Sequence, residues 1–237
     1  MNDKTTLVLL HGAGTGAWVW ERVLSELATP AIALEVPSRT DDATPDRCAA
    51  NLVAELDRRG IHSVVLVLHS LAGVLAPEFA HRLGTRLKRC VYVSAIVPPT
   101  GGSFADALGL MNRLILRMLF KFNPHGLKPS ADMIRRELCN DLDPQDADRV
   151  VSFYTAERPG LYLTPVGQLP TDLSTTYIKL LKDQTLSPKL QDSMISRLSK
   201  PSVQTIDAGH LVMLSNPASL AKILDETHAQ HRPSTTL

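Results

Sequence analysis

Apolar residues in this chain fall into short runs at 6–10, 31–34, 64–68, 89–93, 176–181 and 203–206, rich in Val, Ile, Leu and Thr. Between most of them lie longer stretches where apolar positions recur at helical spacing, as Leu52, Val53 and Leu56 do within 45–59. Runs of this length predict strands, and the alternation with helical segments is the pattern of βαβ units. Continuous rather than every-second-residue apolarity predicts strands buried on both faces. The expected fold class is therefore α/β, with a mostly parallel sheet of about six strands and helices on both faces.

The rhythm stops between Pro98 and Asp172, where Pro, Gly and helical patches replace strands. This predicts a core made of 1–98 and 172–237, with 99–171 as an inserted helical cap. The longest apolar cluster, 108–122, is broken by Arg113, Arg117 and Lys121, four residues apart and so on one stripe of a helix. It is too short and too charged to span a bilayer. Of two readings, a membrane-surface helix and a lid packed over a pocket, the lid is expected, with Leu110, Met111, Leu114, Met118, Phe120 and Phe122 supplying an apolar pocket.

Composition narrows the class of ligand. Lys plus Arg is 25 and Asp plus Glu is 24, so no overall field attracts nucleic acid or an anionic membrane, and an uncharged small molecule is the expected partner. Nothing in the sequence excludes a homodimer. Cys48, Cys90 and Cys139 have neither disulfide-framework nor zinc-site spacing, and no cofactor or metal is expected. Reduced thiols, and residues 1–6 without the layout of a secretion signal, point to a cytoplasmic protein. His228 and His231 lack a third ligand nearby and are expected to be solvated, on a frayed tail from residue 228.

In an open parallel sheet, ligands bind beyond the carboxyl ends of the strands. Three residues with reactive side chains follow expected strands. Ser70 stands between the run 64–68 and a helix expected to begin near Leu71, where a sharp turn exposes a hydroxyl at a helix amino end. His210 follows the last run; imidazole is the side chain whose ordinary pKa suits a general base. Asp183 follows the run 176–181 and would orient that imidazole, whereas Asp207, closer in sequence, ends the strand feeding the histidine loop. His11 and His69 are expected to be structural.

Attack on a carbonyl also needs donors for the developing oxyanion, and the backbone amides of Ala13 and Leu71 are the candidates. The run His11-Gly12-Ala13-Gly14-Thr15-Gly16 lacks the Lys-Ser/Thr ending of a phosphate loop. It does echo a dinucleotide fingerprint at Gly12, Gly14 and Ala17, but that reading leaves Ser70, Asp183 and His210 unexplained.

Leu68-His69-Ser70-Leu71-Ala72-Gly73 resembles the G-x-S-x-G nucleophile elbow, with Leu68 and Ala72 in the glycine positions. Together with 11–20 ending in Trp18-Val19-Trp20, Tyr177-Ile178-Lys179 before Asp183, and Gly209-His210 before Met213-Leu214 and Pro217, the chain resembles the methylesterase and hydroxynitrile lyase branch of the α/β-hydrolases. The resemblance implies a compact α/β-hydrolase sheet without the usual first two strands. It also implies a serine hydrolase acting on a small apolar ester. The lyase branch carries a lysine directly after the catalytic histidine and a threonine after the loop histidine; Leu211 and Gly12 stand there, which disfavours cyanohydrin chemistry. A biosynthetic relative that cyclises, decarboxylates or cleaves C–C bonds, and a non-catalytic small-molecule receptor, are the alternatives. Leu68, large where a tight turn usually requires a small residue, keeps the receptor reading open.

Overall fold

The computed structural model describes residues 5–229. Six strands form one sheet: β1 Thr6–Leu10, β2 Ala31–Leu34, β3 Val64–His69, β4 Leu87–Val93, β5 Thr175–Leu180 and β6 Ser202–Ile206. The spatial order is β2-β1-β3-β4-β5-β6 and every ladder is parallel. All six expected runs are therefore strands, with ends shifted by two residues at most.

Successive residues of a strand face opposite sides of the sheet, and the core divides accordingly. Val8, Leu10, Leu66, Leu68, Tyr92 and Tyr177 pack with helices Pro45–Arg58, Ala76–Leu83 and Pro188–Ile195. Leu7, Leu9, Val65, Val67, Val91 and Ile178 face the other way, onto helices Glu21–Glu26 and Pro217–Ala229. Central β3 is buried throughout. Edge strand β6 departs from the expectation of burial on both faces: Ser202, Val203, Gln204 and Thr205 are exposed and only Ile206 is buried. A strand at the rim has a ladder on one side only and leaves its outer side chains open to solvent.

Between β4 and β5 the chain holds helices Phe104–Ala107, Leu110–Phe122, Pro144–Phe153 and Gly160–Leu163, with a π-helical turn at Ile134–Leu138. Local signals start several of them. Ser103 and Asp106 form a reciprocal capping box, and Asp143 caps the helix that Pro144 opens. Leu110–Phe122 does not pack as expected of a lid. Phe120 is its one buried residue, set against Tyr162, while Leu110, Met111, Leu114, Met118 and Phe122 are exposed. Among the described residues no helix is long and apolar enough to cross a membrane.

His228 differs from its expected solvation. It is buried at the end of helix Pro217–Ala229, where Nε2 donates to the Thr5 carbonyl at 3.1 Å, tying the last helix to the start of β1. His231 and the remainder of the tail lie outside the described residues. The three cysteines are free and buried.

Candidate active site

Parallel pairing puts the carboxyl ends of all six strands on one edge. The chain leaves β1 toward β2 on one side, whereas β3 lies on the other, so the order reverses between β1 and β3 and a crevice opens there. Leu10 is in register with Leu68, which brings the loop after β1 against the turn after β3.

Ser70 sits on that turn with φ +53°, a left-handed conformation that a non-glycine residue adopts only under strong local constraint. The constraint is backbone packing. Ile96 N–H donates to the Ser70 carbonyl at 3.0 Å, and a Cβ at Gly73 would stand 2.0 Å from the Ile96 oxygen. A Cβ at Gly12 would stand 2.7 Å from Ser70 Cβ. The close approaches thus fall on Gly12 and Gly73. Leu68 is fully buried in the core layer, so a large residue two before the serine is accommodated. Instead of an immediate α-helix, a 3-10 turn Ser70–Leu75 precedes helix Ala76–Leu83.

His210, on the loop after β6, places Nε2 3.0 Å from Ser70 Oγ and Nδ1 2.7 Å from Asp183 Oδ2. An ionised carboxylate only accepts, so Nδ1 carries the hydrogen and Nε2 turns its lone pair toward the Ser70 hydroxyl. Burial alone would raise the Asp183 pKa. The His210 ring, the Ser94 hydroxyl and the Leu186 amide together outweigh it and hold the carboxyl below its ordinary value. Asp183 Oδ1 accepts from Thr185 N at 2.7 Å and Leu186 N at 2.8 Å, and Oδ2 also accepts from Ser94 Oγ at 2.6 Å. Asp207 instead pairs with Lys182 at 2.7 Å on the surface.

The amides of Ala13 and Leu71 have no hydrogen-bond partner among the described residues. The loop that presents Ala13 is held from several directions. Glu157, 1% exposed, accepts from Gly14 N at 2.9 Å and Ser38 Oγ at 2.8 Å and pairs with Arg39 at 3.0 Å. Thr155 N donates to the Gly14 carbonyl at 2.9 Å, and Arg39 also bonds the Thr15 carbonyl. Glu35 accepts from Ala17 N at 2.8 Å. His11 donates Nδ1–H to the Gly12 carbonyl and accepts from Val36 N, a structural role. His69 is structural too: Nε2 donates to the His210 carbonyl at 3.0 Å, and burial, with the His210 ring beside it, pushes its pKa well below the ordinary value.

The segment between β4 and β5 also braces the histidine loop. Asp141 accepts from Gly209 N, and Asn140 Nδ2 donates to the Lys182 carbonyl at 2.9 Å. A Cβ at Gly209 would meet Asp141 Oδ1 at 2.4 Å, so a larger residue there would push the Asp141 side chain off Gly209 N. Sequence reasoning missed Ser94, Asn140, Asp141 and Glu157. None is close in sequence to the group it supports, and no local pattern marks them.

A parallel sheet with its reactive side chains on the loops beyond the strand ends defines a class, and the family match agrees with it: residues 7–223 match the alpha/beta hydrolase family, to which this chain belongs. Within it, the relatives place the chain in the methylesterase-like branch, as an enzyme of hydrolase and esterase type. A probable hydrolase, R7, from Phoma sp. is 25% identical over 94% of this chain and 98% of its own length. A putative chloroplastic methylesterase 12 of Arabidopsis thaliana is 25% identical over 92% of this chain and 70% of its own. Among solved structures, an extracellular α/β-hydrolase from a Paenibacillus species, described as homologous to tobacco salicylic acid binding protein 2, superposes with TM-score 0.84 at 16% identity. It covers 94% of this chain and 98% of that one.

Proposed function

We propose that this chain is a serine carboxylesterase acting on a small, mostly apolar ester through Ser70, His210 and Asp183. The observation that carries the reading is the unbroken hydrogen-bonded series from Ser70 Oγ through His210 to Asp183, at 3.0 and 2.7 Å. His210 Nε2 takes the proton as Ser70 Oγ attacks the ester carbonyl carbon, and the negative charge moves to the carbonyl oxygen. The unpaired amides of Ala13 and Leu71 receive that oxyanion, where loss of one such donor costs about 3 kcal/mol in comparable enzymes. Asp183 fixes the imidazole orientation and stabilises its cation. The protonated His210 then gives its proton to the leaving alkoxide, leaving an acyl-serine. Water, deprotonated by His210, attacks this ester and releases the acid with Ser70 restored.

In this reading the segment 99–171 is a cap. Glu157 holds the oxyanion loop and Asn140 with Asp141 hold the loops of the acid and base, so the cap contributes position as well as cover. Gly12 and Leu211 support ester hydrolysis over lyase chemistry. Leu211 is fully buried in the core, and a threonine at 12 would press on Ser70.

The test is active-site labelling. A fluorophosphonate should modify Ser70 in the native protein, with labelling lost in Ser70→Ala and strongly slowed in His210→Ala. Hydrolysis of a short-chain ester in oxygen-18 water should place the heavy oxygen in the acid. A folded protein that neither labels nor turns over any ester would overturn the proposal and favour a receptor.

A further inference from the structure

Among the described residues, nothing covers the outward face of helix Leu110–Phe122. At 100° per residue, Leu110, Met111, Leu114, Ile115, Met118, Leu119 and Phe122 occupy one continuous half of its circumference. All seven are exposed, Leu110 and Met111 by 70% and Phe122 by 74%. Buried Phe120 lies nearly opposite their centre and fastens the helix to Tyr162. Seven large apolar side chains on a helix about 20 Å long form a patch of the kind that marks an interaction site rather than ordinary surface.

We propose that this helix docks in plane on an anionic lipid surface, its apolar half in the acyl boundary and its cations at the headgroups. The charge distribution selects the occupant. Residues 108–131 contain Arg113, Arg117, Lys121 and Lys128 and not one Asp or Glu, in a chain whose totals of 25 cations and 24 acids are otherwise matched. Arg113 is committed to Asp106 at 2.8 Å. Arg117 borders the apolar half and Lys121 lies just inside the same edge, between Leu110 and Leu114; both are exposed and form no ion pair among the described residues, Arg117 sensing the Asp106 carboxylate only at longer range. An apolar face bordered by Lys and Arg is the composition of helices that lie in the membrane interface.

The other occupants fit less well. A second copy meeting this face would bring two cationic edges together with only Asp106, already paired with Arg113, beside each to offset them. A lid closing inward would have to roll about half a turn and release Phe120 from Tyr162. The chain's matched overall charge, which disfavours attraction to a membrane as a whole, averages away this local asymmetry. The inference does not rest on the catalytic reading.

Sedimentation with vesicles tests it. The full-length protein should associate with vesicles of phosphatidylcholine and phosphatidylglycerol more strongly than with phosphatidylcholine alone, and less so as salt rises. The double variant Arg117→Gln/Lys121→Gln should weaken association with anionic vesicles by about 30-fold and leave neutral vesicles unaffected. Leu114→Asp/Met118→Asp should lose at least about tenfold on both, with unchanged circular dichroism and melting temperature. Failure of the wild type to associate with anionic vesicles, or association equal in the Asp variant, would overturn the proposal. So would a dimeric wild type that Leu114→Asp/Met118→Asp converts to monomer, because a second copy would then cover the face.

Discussion

Ser94 donates its hydroxyl to Asp183 Oδ2 at 2.6 Å, the same oxygen that accepts from His210 Nδ1. The two residues lie 89 apart in sequence and meet because β4 and β5 are neighbours, each ending just before its loop. Ser94 is fully buried, so its hydroxyl is shielded from solvent and committed to Asp183.

Removing this hydroxyl should therefore weaken the acid without removing it. A hydrogen bond to a charged group contributes about 1.5–3 kcal/mol, and Ser94→Ala should lower kcat for a small ester by roughly tenfold with KM little changed. The acid limb of the pH–rate profile should move upward, a shift that mere loss of packing does not produce. Steady-state kinetics across pH on the variant decide the matter.

The depressed Asp183 pKa also fixes the sign of a stability effect. Its folded value lies below the ordinary value of about 3.9, so the unfolded chain binds the proton first. The stabilisation is present in full above that ordinary value and is lost as pH falls through the folded one. Urea melts of wild type and Asp183→Asn should show a stability difference that shrinks between about pH 5 and pH 2. A difference constant over that window would mean that the carboxylate is not held ionised by its neighbours.

Glu157 connects the segment between β4 and β5 to the loop after β1 through Gly14 N and Arg39. Glu157→Gln removes the ion pair with Arg39 while keeping an oxygen able to accept from Gly14. It should cut kcat by about tenfold through misplacement of the Ala13 amide. Fluorophosphonate labelling should slow in parallel. Unchanged kcat in a variant that merely melts earlier would reduce Glu157 to a structural tie.

Close backbone approach makes Gly73 and Gly167 a matched pair of tests. A Cβ at Gly73 would be 2.0 Å from the Ile96 carbonyl oxygen, whereas one at Gly167 would have only Glu78 Oε1, at 4.0 Å. Gly73→Ala should destabilise by about 1–3 kcal/mol and abolish labelling of Ser70 by shifting the elbow. Gly167→Ala should be near neutral in both denaturant titration and labelling.

The thiols should be inert in the native state. Burial pushes Cys48 and Cys90 up to about 12 and Cys139 to about 11, so almost no thiolate exists at neutral pH. A thiol-disulfide reagent should titrate none in the folded protein and all three after unfolding. Reaction at native Cys48 would place it in a more open environment than the one beside the Pro37 carbonyl.

Much of this architecture is legible in the sequence alone. Strand runs show in sequence because a strand's burial is written into consecutive side chains, and Ser70, Asp183 and His210 stand out as candidates because they follow strand ends. Leu68 misled for a related reason. The sequence marks it as too large for a tight turn, yet the crowding at the elbow is set by which backbones touch, and those are at Gly12 and Gly73. The same holds for Val203 in β6, which reads as buried until the sheet order puts its strand at the rim.

By itself, then, the sequence determined the α/β alternation and the six strands, and it set Ser70, Asp183 and His210 beside strand ends as candidates, because these depend on local period and on position along the chain; that the three side chains meet was decided by the fold. Only the tertiary structure decided that Ser94 supports Asp183, that Glu157 and Asp141 reach across to hold two loops, and that helix Leu110–Phe122 turns its apolar half outward. Helical period specifies that such a face exists. Which way it points, and which distant side chain meets a given loop, is decided by contacts between segments far apart in the chain, and no local pattern encodes them.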